Sequence, residues 1–202
     1  MRIDQLLGER GLATSRILAG TLQRSGSEET DLKLAASLAR SSKNLIEHEL
    51  AVASVAEALA PFCSGMNVPD APYVLELPNV LHLATDVTGV ARSDASALQL
   101  AAHLHPSAAV CGTPTGLARR TIAELEGLDR GRYSGPVGWI DTAGDGEWAI
   151  ALRCGVISEE DPSVIDLFAG CGIVAGSDPA EELAETKAKL SPMLDALATG
   201  AH

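Results

Sequence analysis

Aromatic residues are nearly absent from this chain. Its 202 residues include only 2 Trp, 2 Tyr and 2 Phe, so a core must be built from Leu, Ile, Val and Ala, and no platform of rings exists for stacking nucleic-acid bases. Positive charge is scarce too, with 15 Lys and Arg against 27 Asp and Glu, a formal net charge of -12 and a pI near 4.7. Such a field repels polyanions, which excludes nucleic acid and anionic membrane surfaces as main partners. No apolar run approaches the roughly 20 residues of a membrane span. The opening Met1-Arg2-Ile3-Asp4-Gln5 has no apolar stretch of the kind a secretory signal needs, so the cytoplasm is the expected compartment. The four cysteines, Cys63, Cys111, Cys154 and Cys171, form no C-x-x-C pair; this removes zinc-ribbon and thioredoxin-type chemistry and leaves reduced thiols.

The balance of 46% hydrophobic and 21% charged residues is that of an ordinary globular protein. With no repeat, low-complexity stretch or long linker, residues 1–202 read as one domain. Short apolar stretches broken by Gly8, Gly11, Gly20 and Gly26 predict one or two strands at the start. Leu32, Ala35, Leu38, Leu45, Val52, Val55 and Leu59 recur at helical spacing and predict one long helix from Ser27 to Pro61. A loop over 64–72 leads to strands near 73–77 and 80–87, then helices over 93–104 and 115–128. Three β-like runs follow, 135–141, 148–156 and 164–174. The Asp145-Gly146 joint predicts a tight hairpin and an antiparallel meander. Ser177-Asp178-Pro179 starts a last helix reaching about Ala198. This uneven order predicts an α+β fold, antiparallel sheets flanked by helices.

Two helices carry chemistry-bearing stripes. Lys43 and Glu47 fall at i and i+4 on the first, and Glu182, Glu185 and Lys189 at i, i+3 and i+7 on the last. Carboxylates converging from two helices would suit Mg²⁺, which takes few protein ligands and keeps waters; the same spacing also describes solvated ion pairs. Gly170-Cys171-Gly172 follows a strand-like run and is either a bend or backbone that a ligand approaches closely. It is no dinucleotide fingerprint, because the third glycine and the directly following helix are missing. Arg153, among Ala149, Ile150, Ala151 and Leu152, is either turned outward or placed to grip an anion. His82 and His105 have apolar neighbours and read as structural; His103-x-His105 lacks a third ligand for a metal.

Nine blocks, in order, resemble the C-terminal half of the isochorismate synthases, within the chorismate-utilising enzyme family. They are Leu18-Ala19-Gly20-Thr21, Ser42-Lys43-Asn44-Leu45-Ile46-Glu47-His48, His82-Leu83-Ala84-Thr85, Leu104-His105-Pro106, Gly112-Thr113-Pro114, residues 129–139, residues 146–153, residues 170–174 and Glu185-Thr186-Lys187-Ala188-Lys189-Leu190. The resemblance implies a partial chorismate-binding domain and a Mg²⁺-dependent isomerase that turns chorismate into isochorismate for siderophore or menaquinone synthesis. It implies Glu47 and Glu185 as metal ligands with Glu182 beside them. It implies Arg153 and Lys189 as cationic contacts for the substrate carboxylates. Gly20, Thr21, Tyr133, Gly170, Cys171 and Gly172 would line the substrate pocket.

Several positions depart from the family pattern. The family's general base, a lysine that activates water for attack at C2, has no counterpart in these blocks. The family's general acid, a glutamate in a Ser-Pro-Glu segment, is matched at best by Asp4. Asn44 stands where an aspartate is common, which implies weaker Mg²⁺ binding. Family members are about twice as long, so a truncated chain with impaired turnover is expected. Alternative readings are a non-catalytic remnant or binding module, and a salicylate- or anthranilate-synthase type of chorismate enzyme.

Overall fold

The computed structural model describes residues 5–9, 11–92 and 95–199; Asp4 lies outside the described residues. The architecture is α+β. Strands β1 (Gln5–Glu9), β2 (Leu12–Gln23), β3 (Cys63–Asn67), β4 (Tyr73–Glu76), β5 (Val80–Ala91), β6 (Pro136–Ile140) and β7 (Gly146–Ile150) form one sheet in the order β3-β5-β2-β1-β7-β6, all neighbours antiparallel. β4 pairs with residues 81–84 of β5 and β3 with residues 88–91, so the two short strands share one flank of β5. β8 (Cys154–Ile157) and β9 (Ile165–Phe168) form a separate two-stranded ribbon. The helices are α1 (Glu28–Arg40), α2 (Ser42–Leu59), α3 (Ala97–Leu104), α4 (Thr115–Leu125) and α5 (Pro179–Thr199).

β2 and β5 are the longest strands and carry the core. Ala13 and Ile17 lie on the same face of β2 by the two-residue period. They meet Ala51, Val55 and Leu59, which lie at i, i+4 and i+8 on α2. Full burial of side chains such as Ile17 and Leu59 stabilises by about 1.5–3 kcal/mol each. A second cluster joins Leu38 of α1 to Leu81 and Leu83 of β5. With the C-terminal half of α2 packed in this way, Asn44 at its N-terminal end stands beside Gly20 at the bulged end of β2, where the candidate site lies.

Four expectations are corrected. The helix predicted from Ser27 to Pro61 is two helices, because Ser41 is extended (φ -71, ψ 108) and its hydroxyl accepts the Asn44 N–H, a serine competing with the helical backbone. Residues 64–67, placed in a loop, belong with Cys63 to strand β3, formed because β5 offers a free edge rather than because its own residues alternate. The 148–156 run is cut: β7 ends at Ile150, and Arg153, at φ +50, turns the chain before β8 begins. The meander is therefore a β6–β7 hairpin plus the separate β8–β9 ribbon. The third β-like run, 164–174, ends at Phe168, leaving Gly170-Cys171-Gly172 in irregular backbone. The hairpin itself forms as expected, with Asp141 Oδ1 accepting the N–H groups of Ala143 at 2.8 Å and Asp145 at 3.0 Å.

Candidate active site

The β2–β5 ladder loses register between Ala19 and Leu22, and the two displaced residues are Gly20 and Thr21. Gly20 sits at φ +58, and a Cβ there would stand 2.8 Å from Leu38 Cδ1 and 3.0 Å from Asn44 Cγ, so only glycine fits. The freed Gly20 carbonyl accepts from His82 Nδ1 at 2.8 Å, and the Thr21 hydroxyl lies 3.3 Å from the same nitrogen. Thr21 Oγ1 in turn accepts from Arg153 Nη2 at 3.0 Å. A fully buried histidine thus fixes the bulge, and the bulge aims the guanidinium. Arg153 is a non-glycine residue in left-handed backbone, a strained arrangement worth roughly 1–3 kcal/mol that persists where its surroundings dictate it.

The two charged stripes face each other. Lys43 Nζ donates to Glu182 Oε1 and lies 3.8 Å from Glu185 Oε2. Lys189 Nζ donates to Glu185 Oε1 at 2.7 Å and to the Gly170 carbonyl at 3.0 Å. Burial alone would lower the Lys43 ammonium, but its bond to Glu182 and the fields of Glu182, Glu185 and Glu47 outweigh that and raise it. Burial works against the Glu182 carboxylate, and the Lys43 ammonium holds it below the usual range. The reading of these five residues as exposed surface pairs does not hold for Glu182 and Lys189, which are 5% and 7% exposed.

Gly172 closes the third side. A Cβ on it would meet Glu47 Oε1 at 2.5 Å, so the missing side chain is what lets the carboxylate stand there. A Cβ on Gly170 would stand 3.0 Å from the Tyr133 hydroxyl. Tyr133 stacks on Phe168 with ring centroids 5.4 Å apart. Burial pushes the Cys171 thiol up, which makes it a wall group rather than a nucleophile. A cavity of about 270 Å³ lies among Arg130, Tyr133, Arg153, Gly170, Cys171 and Lys189. A second cavity of about 130 Å³, lined by Thr21, Gln23 and Glu185 among others, lies across Arg153 and Lys189, which border both.

Among the described residues, no group of three or more His, Cys, Asp and Glu is set to hold a metal by itself. Glu182 and Glu185 instead hold ammonium groups. The donor set nevertheless fits Mg²⁺. It is all carboxylate oxygen, and Glu182 is a buried carboxylate whose charge a nearby cation stabilises. Glu47 and Glu185 would be the residues to hold the ion, with Glu182 beside them. The sequence reading assigned no role to Lys43 beyond spacing, to His82 beyond structure, or to Arg130. Arg130 grips Glu126 through two bonds of 2.6 and 2.8 Å and lines the larger cavity. Its signal was present in the 129–139 block, without geometry to give it meaning.

Residues 7–198 match the family model described as chorismate binding enzyme. The chain belongs to that family. It is 45% identical over 184 residues to the isochorismate synthase DhbC of Bacillus subtilis, covering 91% of this chain and 46% of that one. It superposes with a TM-score of 0.90 and 40% identity on the crystal structure of a protein assigned as the 2,3-dihydroxybenzoate-specific isochorismate synthase DhbC of Bacillus anthracis, covering 98% of this chain and 52% of that one. MenF, the menaquinone-specific isochorismate synthase of Escherichia coli, superposes with a TM-score of 0.80 and 30% identity, covering 93% and 42%. The chain spans about half the length of the chorismate binding enzymes it matches. No helix among its described residues is long and apolar enough to cross a membrane.

Proposed function

We propose that this chain carries the substrate- and metal-binding side of a cytoplasmic isochorismate synthase, converting chorismate to isochorismate with Mg²⁺ for siderophore or menaquinone synthesis. The observation that carries this reading is the placement of Arg153 and Lys189. Both cations border two cavities, the smaller of them also lined by Glu185, in a fold superposing at a TM-score of 0.90 on an assigned isochorismate synthase. A dianionic substrate needs two such cations, and the local site sets the field whatever the net charge. Arg153 offers a planar fork suited to two-point binding of a carboxylate, and its Thr21 bond limits how it turns. Lys189 is anchored by Glu185 and the Gly170 carbonyl, which leaves a further donor for substrate. The 170–172 backbone lets a ligand approach, and the Tyr133–Phe168 stack shields one wall from water. When bound at Glu47 and Glu185, Mg²⁺ supplies positive charge that neutralises a substrate carboxylate.

The test is calorimetric binding of chorismate with and without Mg²⁺, followed by chromatography of the products. Binding is expected to depend on Mg²⁺ and to weaken at least about tenfold in Arg153→Ala, as for loss of a charge-assisted bond. A polypeptide of these 202 residues is expected to yield no isochorismate. The family's base lysine has no match in it, and a general acid or base contributes about 10²–10⁴-fold each. An isochorismate peak that disappears in Glu185→Ala would overturn that expectation; chorismate binding indifferent to Arg153 would overturn the site.

A further inference from the structure

The two ammonium groups in the carboxylate cluster are held differently. Lys189 is 7% exposed and tied to backbone as well as to Glu185, through the Gly170 carbonyl. The Lys43 side chain is 30% exposed, and among the described residues its ion-pair partners are Glu182 and Glu185. Lys189 is therefore built into the loop, whereas Lys43 sits on a flexible four-carbon stem with a way out to water. Its ammonium is paired both with Glu185, which would hold a divalent ion, and with Glu182 beside it. Glu182 is 5% exposed, so its carboxylate depends on a cation held beside it, and Lys43 is the ammonium that bonds it.

We propose that Lys43 is a resident counter-ion, a positioning residue that holds Glu182 and Glu185 together when no divalent ion is present and must swing out before one binds. The proposal rests on the metal reading given above. The Glu182 and Glu185 carboxylates, both paired with one ammonium, repel one another, and the cost falls if a cation is always available. Lys43 supplies that cation from α2 itself. It therefore competes with the metal while keeping the site assembled to receive it, so removing it should cost stability and raise metal affinity together. A lysine with a purely structural role would cost stability alone.

The probe is Mn²⁺, followed by the loss of its free-ion paramagnetic resonance signal, together with thermal unfolding with and without the ion. In Lys43→Met, which keeps the apolar stem, Mn²⁺ is expected to bind at least about fivefold more tightly than in the wild type, with a larger rise in Tm on Mn²⁺ addition. Lys43→Arg places a fork that can bond Glu182 and Glu185 together, so Mn²⁺ is expected to bind at least about fivefold more weakly. Equal or weaker binding in Lys43→Met, or wild-type binding in Lys43→Arg, overturns the proposal. If Lys43→Met fails to fold, the Arg variant decides. Glu185→Gln separates the two readings. If it binds Mn²⁺ like the wild type, or the wild type binds none, the metal site itself is wrong and the proposal falls with it. If Glu185→Gln abolishes binding while Lys43→Met leaves it unchanged, only the role of Lys43 is wrong.

Discussion

Every buried apolar side chain among the described residues lies between Ala13 and Ala101, whereas beyond Ala101 the buried side chains are those of Ser107, Ser134, Glu182 and Lys189. The earlier region holds itself together by packing helices on a sheet. The later one holds together by backbone pairing in two hairpins and by ion pairs that are also the candidate site. Many of its large apolar residues stay in solvent, with Trp139 at 55%, Ile157 at 62% and Ile173 at 71% exposed. Half of the site comes from each region. Gly20, Thr21, Lys43 and Glu47 stand on the packed part, and Arg153, Gly172, Glu182, Glu185 and Lys189 on the part with little apolar core. The first set stands on elements anchored by the packed core; the second is tied to it through the Arg153–Thr21 and Lys43–Glu182 bonds.

Truncating equivalent aliphatic side chains in the two regions is the strongest way to break this comparison. Leu83, 1% exposed and packed with Leu38 and Leu81, should cost about 2–5 kcal/mol as Leu83→Ala through lost burial and the cavity left behind. Ile157→Ala in β8 should stay within about 0.5 kcal/mol, as for other exposed sites. Urea unfolding of both variants checks this, and similar losses would mean that the later region has a core of its own.

Glycine substitutions sharpen the comparison at the site, with smaller effects on stability. Gly20→Ala combines a φ of +58 with backing from Leu38 and Asn44, and should cost about 1–3 kcal/mol. Gly172→Ala meets only the far end of the flexible Glu47 side chain. It should unfold nearly as the wild type does while pushing the Glu47 carboxylate aside and weakening Mn²⁺ binding. Parallel denaturation and metal titration separate the two; a Gly172→Ala variant that binds Mn²⁺ normally would remove Glu47 from the ligand set.

The legibility of the sequence follows the same division. In the packed region the apolar period revealed the strands and the helical face, and missed only what periodicity does not encode. Ser41 interrupts two helices without changing their hydrophobic phase, and β3 exists because β5 has a free edge. In the later region the pattern misled more. The apolar run from Ala149 to Leu152 continues past β7 until the Arg153 backbone turns, and no composition rule carries a positive φ at arginine. The stripes on α2 and α5 were readable as stripes. Their facing one another was not, because the sequence separation of 139 between Lys43 and Glu182 is closed by tertiary contacts alone. The ordered family blocks carried that information; local spacing did not.

The smallest expected effect tests whether charge matters outside the site. In the packed region Asp31 begins α1, where its carboxylate accepts from Arg24 Nε at 2.9 Å, from the Ser25 N–H at 2.7 Å and from the Ser25 hydroxyl at 2.9 Å. The Arg24 bond first, and the Ser25 N–H next, hold this carboxyl below its usual range. A carboxyl whose pKa is depressed on folding contributes stability that is fully present above its unfolded value of about 3.9 and is lost as pH falls through the lower folded value. Asp31→Asn should therefore lose stability at neutral pH and unfold with a shallower acid dependence below about pH 4, converging on the wild type at the acid end. Tm measured from pH 7 downward checks the sign. A variant that tracks the wild type at a constant offset would mean that Asp31 acts by packing at the helix start rather than by charge.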